Sequence, residues 1–230
     1  MLEALKEQVF KANLDLVKYE LVIFTWGNVS AIDASGKYVV IKPSGIDYSN
    51  MQARDMVVVD LEGNIIEGTL KPSSDTFTHL EIYKAFKSVK AVVHTHSKWA
   101  TIFAQAKRPI PIFGTTHADY FNQAIPVTKM MSEAMIKEDY EKNTGKSIVD
   151  TFKENTINPV HCPGVIVSEH GPFTWGENPS DAVHNAVVLE TIAEMAYHTM
   201  VIREDAYEIQ EALLTKHYER KHGKNKYYGQ

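Results

Sequence analysis

Leu2, Leu5, Val9, Ala12 and Leu16 recur at helical spacing, so residues 1–18 are predicted to form an amphipathic helix with one face on the core. The period then changes. Segments near 21–24, 38–41 and 56–60 are rich in Val, Ile, Phe and Tyr and predict strands, with Ser35-Gly36 and Glu62-Gly63-Asn64 as turns between such runs. Turns this short join antiparallel neighbours, so the sheet is not expected to be purely parallel. Residues 76–87 predict a helix, Ala91–His96 a buried strand, 98–106 another helix, and 129–153 contain a long polar helix. Gly164–Ser168 predicts a further strand. Asn178-Pro179 has the form of a helix cap followed by proline in the first turn, and the apolar spacing over 181–202, like that over 205–222, is helical. No Gly- or Ser-rich linker, repeat or low-complexity tract divides the chain. One α/β or α+β domain spanning residues 1–230 is the expectation.

Composition narrows the class. The 230 residues are 44% hydrophobic and 23% charged, an ordinary globular balance with material for a sizeable core. The net charge of -5 argues against a general nucleic-acid binder. One cysteine, Cys162, leaves no intrachain disulfide and fits a reducing cytoplasm. No apolar run approaches the ~18 residues of a membrane span. Glu3, Lys6, Glu7 and Lys11 deny the N-terminus the uncharged core of a signal peptide, so the sequon Asn28-Val29-Ser30 carries no glycosylation reading.

The chemistry concentrates in histidines and small polar loops. In His94-Thr95-His96, a strand would place both imidazoles on one face, with Val93 and Thr95 on the other. A lone His-x-His also serves at edges and in hydrogen bonds. Here His170 ends another apolar segment before Gly171-Pro172, where a strand would present it at a sheet rim, and Asp75 follows Pro72-Ser73-Ser74. Three imidazoles with a carboxylate or water suit Zn²⁺, with Mn²⁺ or Co²⁺ as substitutes. His79 and His117 are candidate supports for such ligands; His161, His184, His198 and His222 read as loop, helix-surface or cap residues. Thr25–Ser30, Lys42-Pro43-Ser44-Gly45 and Lys71-Pro72-Ser73-Ser74 are turn-rich stretches with small donors, two of them carrying a lysine. Ser73-Ser74 precedes the helix beginning near Thr76, where free N–H groups and the helix dipole favour a phosphate; each stretch also reads as an ordinary turn or cap. Gly145-Lys146-Ser147 is not a P-loop, because Tyr140 stands where the first glycine is needed. Cys162 reads as a buried structural thiol.

Taken in order, Thr25–Ser30, Lys42–Tyr48, Lys71–Thr76, His94–Ser97, Gly114–Phe121, His170–Phe173 and the segment from Lys216 to Gln230 resemble the class II aldolase/adducin family, and within it most closely the L-ribulose-5-phosphate 4-epimerases. The resemblance implies a central, largely antiparallel β-sheet flanked by helices in three layers, and a homotetramer with active sites between subunits. It implies that Asp75, His94, His96 and His170 bind the metal, and that Gly27, Asn28, Lys42, Ser44, Gly45, Ser73 and Ser74 form the substrate and phosphate pocket. Asp119 and Tyr228 match the two acid/base residues, Tyr228 entering from the neighbouring subunit, with pKa values expected to move toward neutral. Thr115, Glu141, His217 and Arg220 match supporting residues. Phe77 departs from the proline expected after Ser73-Ser74-Asp75-Thr76. The implied activity is metal-dependent interconversion of L-ribulose 5-phosphate and D-xylulose 5-phosphate in the cytoplasm. The competing readings are a sugar-phosphate aldolase that releases its aldehyde and a non-catalytic adducin-like interaction domain. Asp75 favours the epimerase, since the aldolases carry a longer glutamate there by the same resemblance.

Overall fold

The computed structural model describes residues 2–224, 226 and 227. The helices are α1 (Glu3–Lys18), α2 (Thr76–Ala85), α3 (Lys98–Ala106), α4 (Thr115–Ala118), α5 (Glu133–Lys137), α6 (Tyr140–Glu154), α7 (Pro179–Ile202) and α8 (Glu211–His222). The strands are β1 (Gly27–Ile32), β2 (Tyr38–Ile41), β3 (Val57–Asp60), β4 (Ile65–Glu67), β5 (Ala91–Thr95), β6 (Gly164–Val167) and β7 (Gly171–Gly176). They form one sheet in the order β4-β3-β2-β1-β5-β7-β6. Every pairing between these strands is antiparallel.

Alternation along the strands sorts the interior into two layers. Val39, Ile41, Val57, Val59 and Val92 face a core completed by Leu80, Phe103, Ile148, Phe152 and Leu189. Val40, Val58, Val29, Ala31, Ala91 and Val93 face a second core against Val9, Ala12 and Leu16 of α1 and Ala182 and Ala186 of α7. Helices thus cover both faces, giving three layers. Central β5 is buried on both sides, which is why it reads as a continuous apolar run.

The structure departs from the sequence-based expectations at several elements. The strand expected near 21–24 is a turn; Ile23 and Phe24 are exposed, and the strand begins at Gly27. Gly27 is required there, because a Cβ would lie 2.6 Å from Val22 and 3.0 Å from the His94 carbonyl oxygen. Gly171-Pro172, expected only to follow a strand ending at His170, instead opens β7. Proline is tolerated because Pro172 lies beyond the last β5–β7 pair, His94 with Phe173. β4 and α4 were not anticipated. The polar segment of 129–153 resolves into α5 and α6. The last helix starts at Glu211, not near 205. The preceding stretch turns at Glu204-Asp205 and is tied down where Ile209 N donates to Ile112 O at 2.8 Å. Phe77 does not disturb the start of α2: it is exposed and packs over the Gly63 turn, where a Cβ would sit 2.6 Å from its ring.

Candidate metal and anion site

His94 stands one residue before the end of β5, on the same face as Val92. Its Nδ1–H donates to Pro172 O at 3.0 Å and its ring stacks on Phe173 at 4.2 Å. That bond occupies Nδ1 and turns Nε2 toward the other rings of the cluster. His96 follows with its Nε2 3.1 Å from His94 Nε2. His170 arrives from the β6–β7 turn, where Glu169 takes φ 64°, and its ring centre is 4.7 Å from that of His94 and 5.0 Å from that of His96. One nitrogen from each ring lies within 4.8 Å of the others. Two ligands about 2.0–2.1 Å from a tetrahedral Zn²⁺ stand roughly 3.3 Å apart, so the His94–His96 spacing fits one shared ion. Burial holds His96 below the usual histidine value, and burial with the neighbouring His94 and His96 holds His170 down at about 3. Both are therefore neutral near pH 7, the form that ligates a metal.

Asp75 is placed differently from a full fourth member. It caps α2 and lines the same pocket, but its oxygens fall outside the three-imidazole group, and Oδ2 accepts from Asn28 Nδ2 at 2.7 Å. Burial pushes its carboxyl up, but His94, His79 and the Asn28 bond outweigh this and hold it low, so it is ionised. Asn28 Oδ1 is buried with no partner, which marks a polar position that protein atoms alone do not satisfy.

Two loops meet beside these ligands. Ser44 N donates to Lys71 O at 2.8 Å and Ser73 N to Lys42 O at 3.0 Å, bracing the Lys42–Gly45 turn against the Lys71–Ser74 turn. Lys42 is only 2% exposed; Nζ donates to Ile46 O at 2.9 Å and lies 4.9 Å over the Tyr48 ring. Burial lowers its pKa, and an anion in the pocket would offset that cost. Gly45 takes φ +70° with open space beside it. Ser73 and Ser74 lead into the N-terminus of α2. A cavity of about 420 Å³ holds Gly27, Asn28, Lys42, Ser44, Gly45, Ser73, Ser74, Asp75, Glu141 and the three histidines. It also holds Thr25, Trp26 and Tyr140. Tyr140, whose hydroxyl is 3.3 Å from His170 Nδ1, was not among the sequence candidates. Its only signal was its place beside Glu141.

The remaining candidates gather elsewhere. Asp119 caps α4 and does not line this cavity. His217 Nδ1 lies 3.0 Å from its Oδ1, Arg220 Nη2 donates to Oδ2 at 2.9 Å, and His222 Nε2–H donates to its main-chain oxygen at 2.8 Å. Burial raises the Asp119 carboxyl, but the Arg220 and His217 bonds prevail and hold it low. The expected move toward neutrality is therefore absent: the bidentate arginine favours the charged form. Thr115 opens α4, also away from the cavity. Tyr228 lies outside the described residues. His117 is not a ligand support, since its Nε2–H donates to Gln123 O at 3.0 Å. Cys162 is fully buried and pushed up to about 12, as befits a structural thiol. Among the described residues, no helix is long and apolar enough to cross a membrane.

Solved structures share this architecture. An L-fuculose 1-phosphate aldolase superposes with a TM-score of 0.79 at 23% identity, over 94% of this chain and 95% of that one. The L-fuculose 1-phosphate aldolase of Glaciozyma antarctica PI12 gives 0.74 at 18% identity, over 95% and 81%. The L-fuculose-1-phosphate aldolase of Thermus thermophilus gives 0.68 at 20% identity, over 88% and 99%. At these identities the likeness is one of fold. The sequence itself matches the Class II Aldolase and Adducin N-terminal domain over residues 7–197. With that match spanning most of its length, the chain belongs to the class II aldolase/adducin family.

Proposed function

We propose that the protein is a divalent-metal enzyme, a 4-epimerase that interconverts L-ribulose 5-phosphate and D-xylulose 5-phosphate. The observation that carries this reading is one cavity holding three clustered imidazoles at one side and a buried lysine with two serine-bearing turns at the other. Such a cavity suits a sugar phosphate: an anion at one end, vicinal oxygens at the other.

Direct proton abstraction does not serve epimerisation at C4. The C4 hydrogen is not adjacent to the C2 carbonyl, so its loss gives no enolate. Breaking C3–C4 avoids this. A base takes the C4 hydroxyl proton, the bond cleaves, the aldehyde turns over, and re-addition to its other face gives the epimer. A bound Zn²⁺, Mn²⁺ or Co²⁺ would supply Lewis-acid stabilisation of the negative charge left on the ketone fragment. His94, His96 and His170, with Asp75 at their edge, would hold that ion. Lys42, Ser44, Gly45, Ser73 and Ser74 would grip the phosphate, keeping the aldehyde fragment in place until it recombines. Gly27 allows β1 to run close against β5, and Asn28 positions Asp75.

Asp119 and Tyr228 are the proposed proton carriers, one for each face, with Thr115, Glu141, His217 and Arg220 in support. Asp119 stands outside its own protomer's cavity, which favours its acting in a neighbour's site within the proposed homotetramer. In this reading Arg220 and His217 keep Asp119 ionised, ready to accept a proton.

The second reading is an aldolase that lets its aldehyde leave. It is favoured by the fold likeness to L-fuculose 1-phosphate aldolases. Asp75, shorter than glutamate and tied to Asn28, argues for the epimerase. The deciding experiment is turnover of L-ribulose 5-phosphate in D₂O. The epimerase reading expects D-xylulose 5-phosphate with almost no deuterium at C4, because the C4–H bond never breaks. Substantial C4 labelling overturns the mechanism, and accumulation of free glycolaldehyde phosphate selects the aldolase.

A further inference from the structure

Beneath the imidazole cluster lies a second set of polar groups, sealed between α2 and the sheet. His79 is fully buried, and its Nδ1 is 2.7 Å from Ser30 Oγ. Ser30, itself fully buried on β1, has the same Oγ 2.8 Å from Tyr83 OH. Three polar side chains are therefore strung through a layer otherwise filled by residues such as Leu80, Ile82, Val92 and Phe173. A polar chain in that position has a cost. Apolar residues of similar shape would do as well or better for stability alone.

The chain also points somewhere. His79 Nε2 is buried with no hydrogen-bond partner in the protein. When Nδ1 accepts from Ser30, the ring proton is placed on Nε2, and the orphan atom becomes a donor. One helical turn earlier on α2 stands Asp75, whose main-chain oxygen accepts from His79 N at 3.1 Å. Residues four apart share a helix face, so the carboxylate and the ring lie on the same side of α2. Asp75 is held by Asn28 Nδ2 and lines the same cavity as the three imidazoles. Its orientation decides whether it can serve as a fourth ligand.

We propose that Tyr83, Ser30 and His79 form a buried positioning relay that orients Asp75 toward the three-imidazole cluster, and so set metal affinity without touching the metal. In this relay Tyr83 would donate to Ser30 and Ser30 to His79 Nδ1, leaving the unpartnered Nε2–H as the donor that draws the Asp75 carboxylate, one turn earlier on α2. The inference rests on the reading that His94, His96, His170 and Asp75 hold a divalent ion. None of the three relay residues lines the cavity.

The test measures the Zn²⁺ dissociation constant of the full-length protein by chelator competition, beside the melting temperature of the metal-free form. Variants are Ser30→Ala, His79→Leu, Tyr83→Phe and the triple combination. Removing outer supports of metal ligands typically weakens binding by about 10–100-fold. That range is expected for His79→Leu and for the triple variant, and a smaller loss of roughly 3-fold for Tyr83→Phe, which deletes one atom. The triple variant should melt near or above wild type, since no half-satisfied polar group remains. A purely structural relay would change melting and leave Zn²⁺ affinity within about two-fold of wild type, and that result overturns the proposal. Should His79→Leu not fold, Tyr83→Phe and the triple variant decide. Wild type that binds no Zn²⁺ would overturn the metal reading itself, whereas tight binding by wild type and variants alike sinks only the relay.

Discussion

His117 is 4% exposed on α4, and burial, against the pull of the carbonyls it bonds, brings it down to about 4. In the unfolded chain it titrates near 6.5. The unfolded state therefore binds more protons between these values, and stability must fall as pH drops through that window. The stabilisation is fully present above about 6.5 and lost below about 4, and is worth up to roughly 3 kcal/mol. Chemical denaturation of the metal-free protein between pH 7 and pH 4 should show this loss, and His117→Gln should flatten the slope. An unchanged slope in the variant would refute the assignment. The same residue shows what a sequence hides. His117 and His79 read alike on the chain, yet one bonds a loop carbonyl and the other a buried serine. Asp119 is a further case: its partners His217 and Arg220 lie 98 and 101 positions away, beyond the reach of any spacing rule.

Helix α6 owes its place to Gly145. A Cβ there would sit 2.9 Å from Thr78 O and 2.7 Å from Glu81 Cβ on α2. Thr78 Oγ1 adds a bond to Glu141 O at 2.6 Å, fixing the first turn of α6 and with it Tyr140 and Glu141 at the cavity. Gly145→Val should cost about 1–3 kcal/mol by overpacking, because the clash is with backbone and valine regains little helix propensity. That corresponds to a fall of roughly 2–10 °C in melting temperature for a chain of this size. Melting curves would show it, and wild-type stability would contradict the packing argument. At this scale the sequence was legible where pattern and environment agree. β5 alternates cleanly into both cores, so the shared face of His94 and His96 followed at once, and Asn178-Pro179 caps α7 as read. It was illegible where a strand wears loop residues. β1 is Gly-Asn-Val-Ser-Ala-Ile, with its polar members buried toward the site, and β7 opens on Gly-Pro. Close packing accounts for the glycines in both, since a Cβ on Gly27 would lie 2.6 Å from Val22 and one on Gly171 2.7 Å from Thr95 O.

Across the whole molecule the proposed machinery is split. The imidazoles and the anion-binding turns share one cavity, while Asp119, His217 and Arg220 cluster where α8 meets α4. If the second group serves a neighbouring subunit, two inactive proteins should repair one another. His94→Asn would lack a proposed metal ligand and Asp119→Asn a proposed proton carrier. Mixed assemblies, made by refolding or co-expression, should regain a substantial fraction of wild-type turnover, because some sites combine an intact His94 with a neighbour's intact Asp119. No recovery in verified mixed assemblies would place Asp119 in its own subunit's reaction.

The bracing of the Lys42–Gly45 turn against the Lys71–Ser74 turn has a thermodynamic corollary. The second of those turns runs straight into α2 and Asp75, so in the proposed reading an anion gripped by the turns would also steady the carboxylate beside the proposed metal ligands. Linkage then requires reciprocity: saturating inorganic phosphate should tighten Zn²⁺ binding by the same factor as saturating Zn²⁺ tightens phosphate binding.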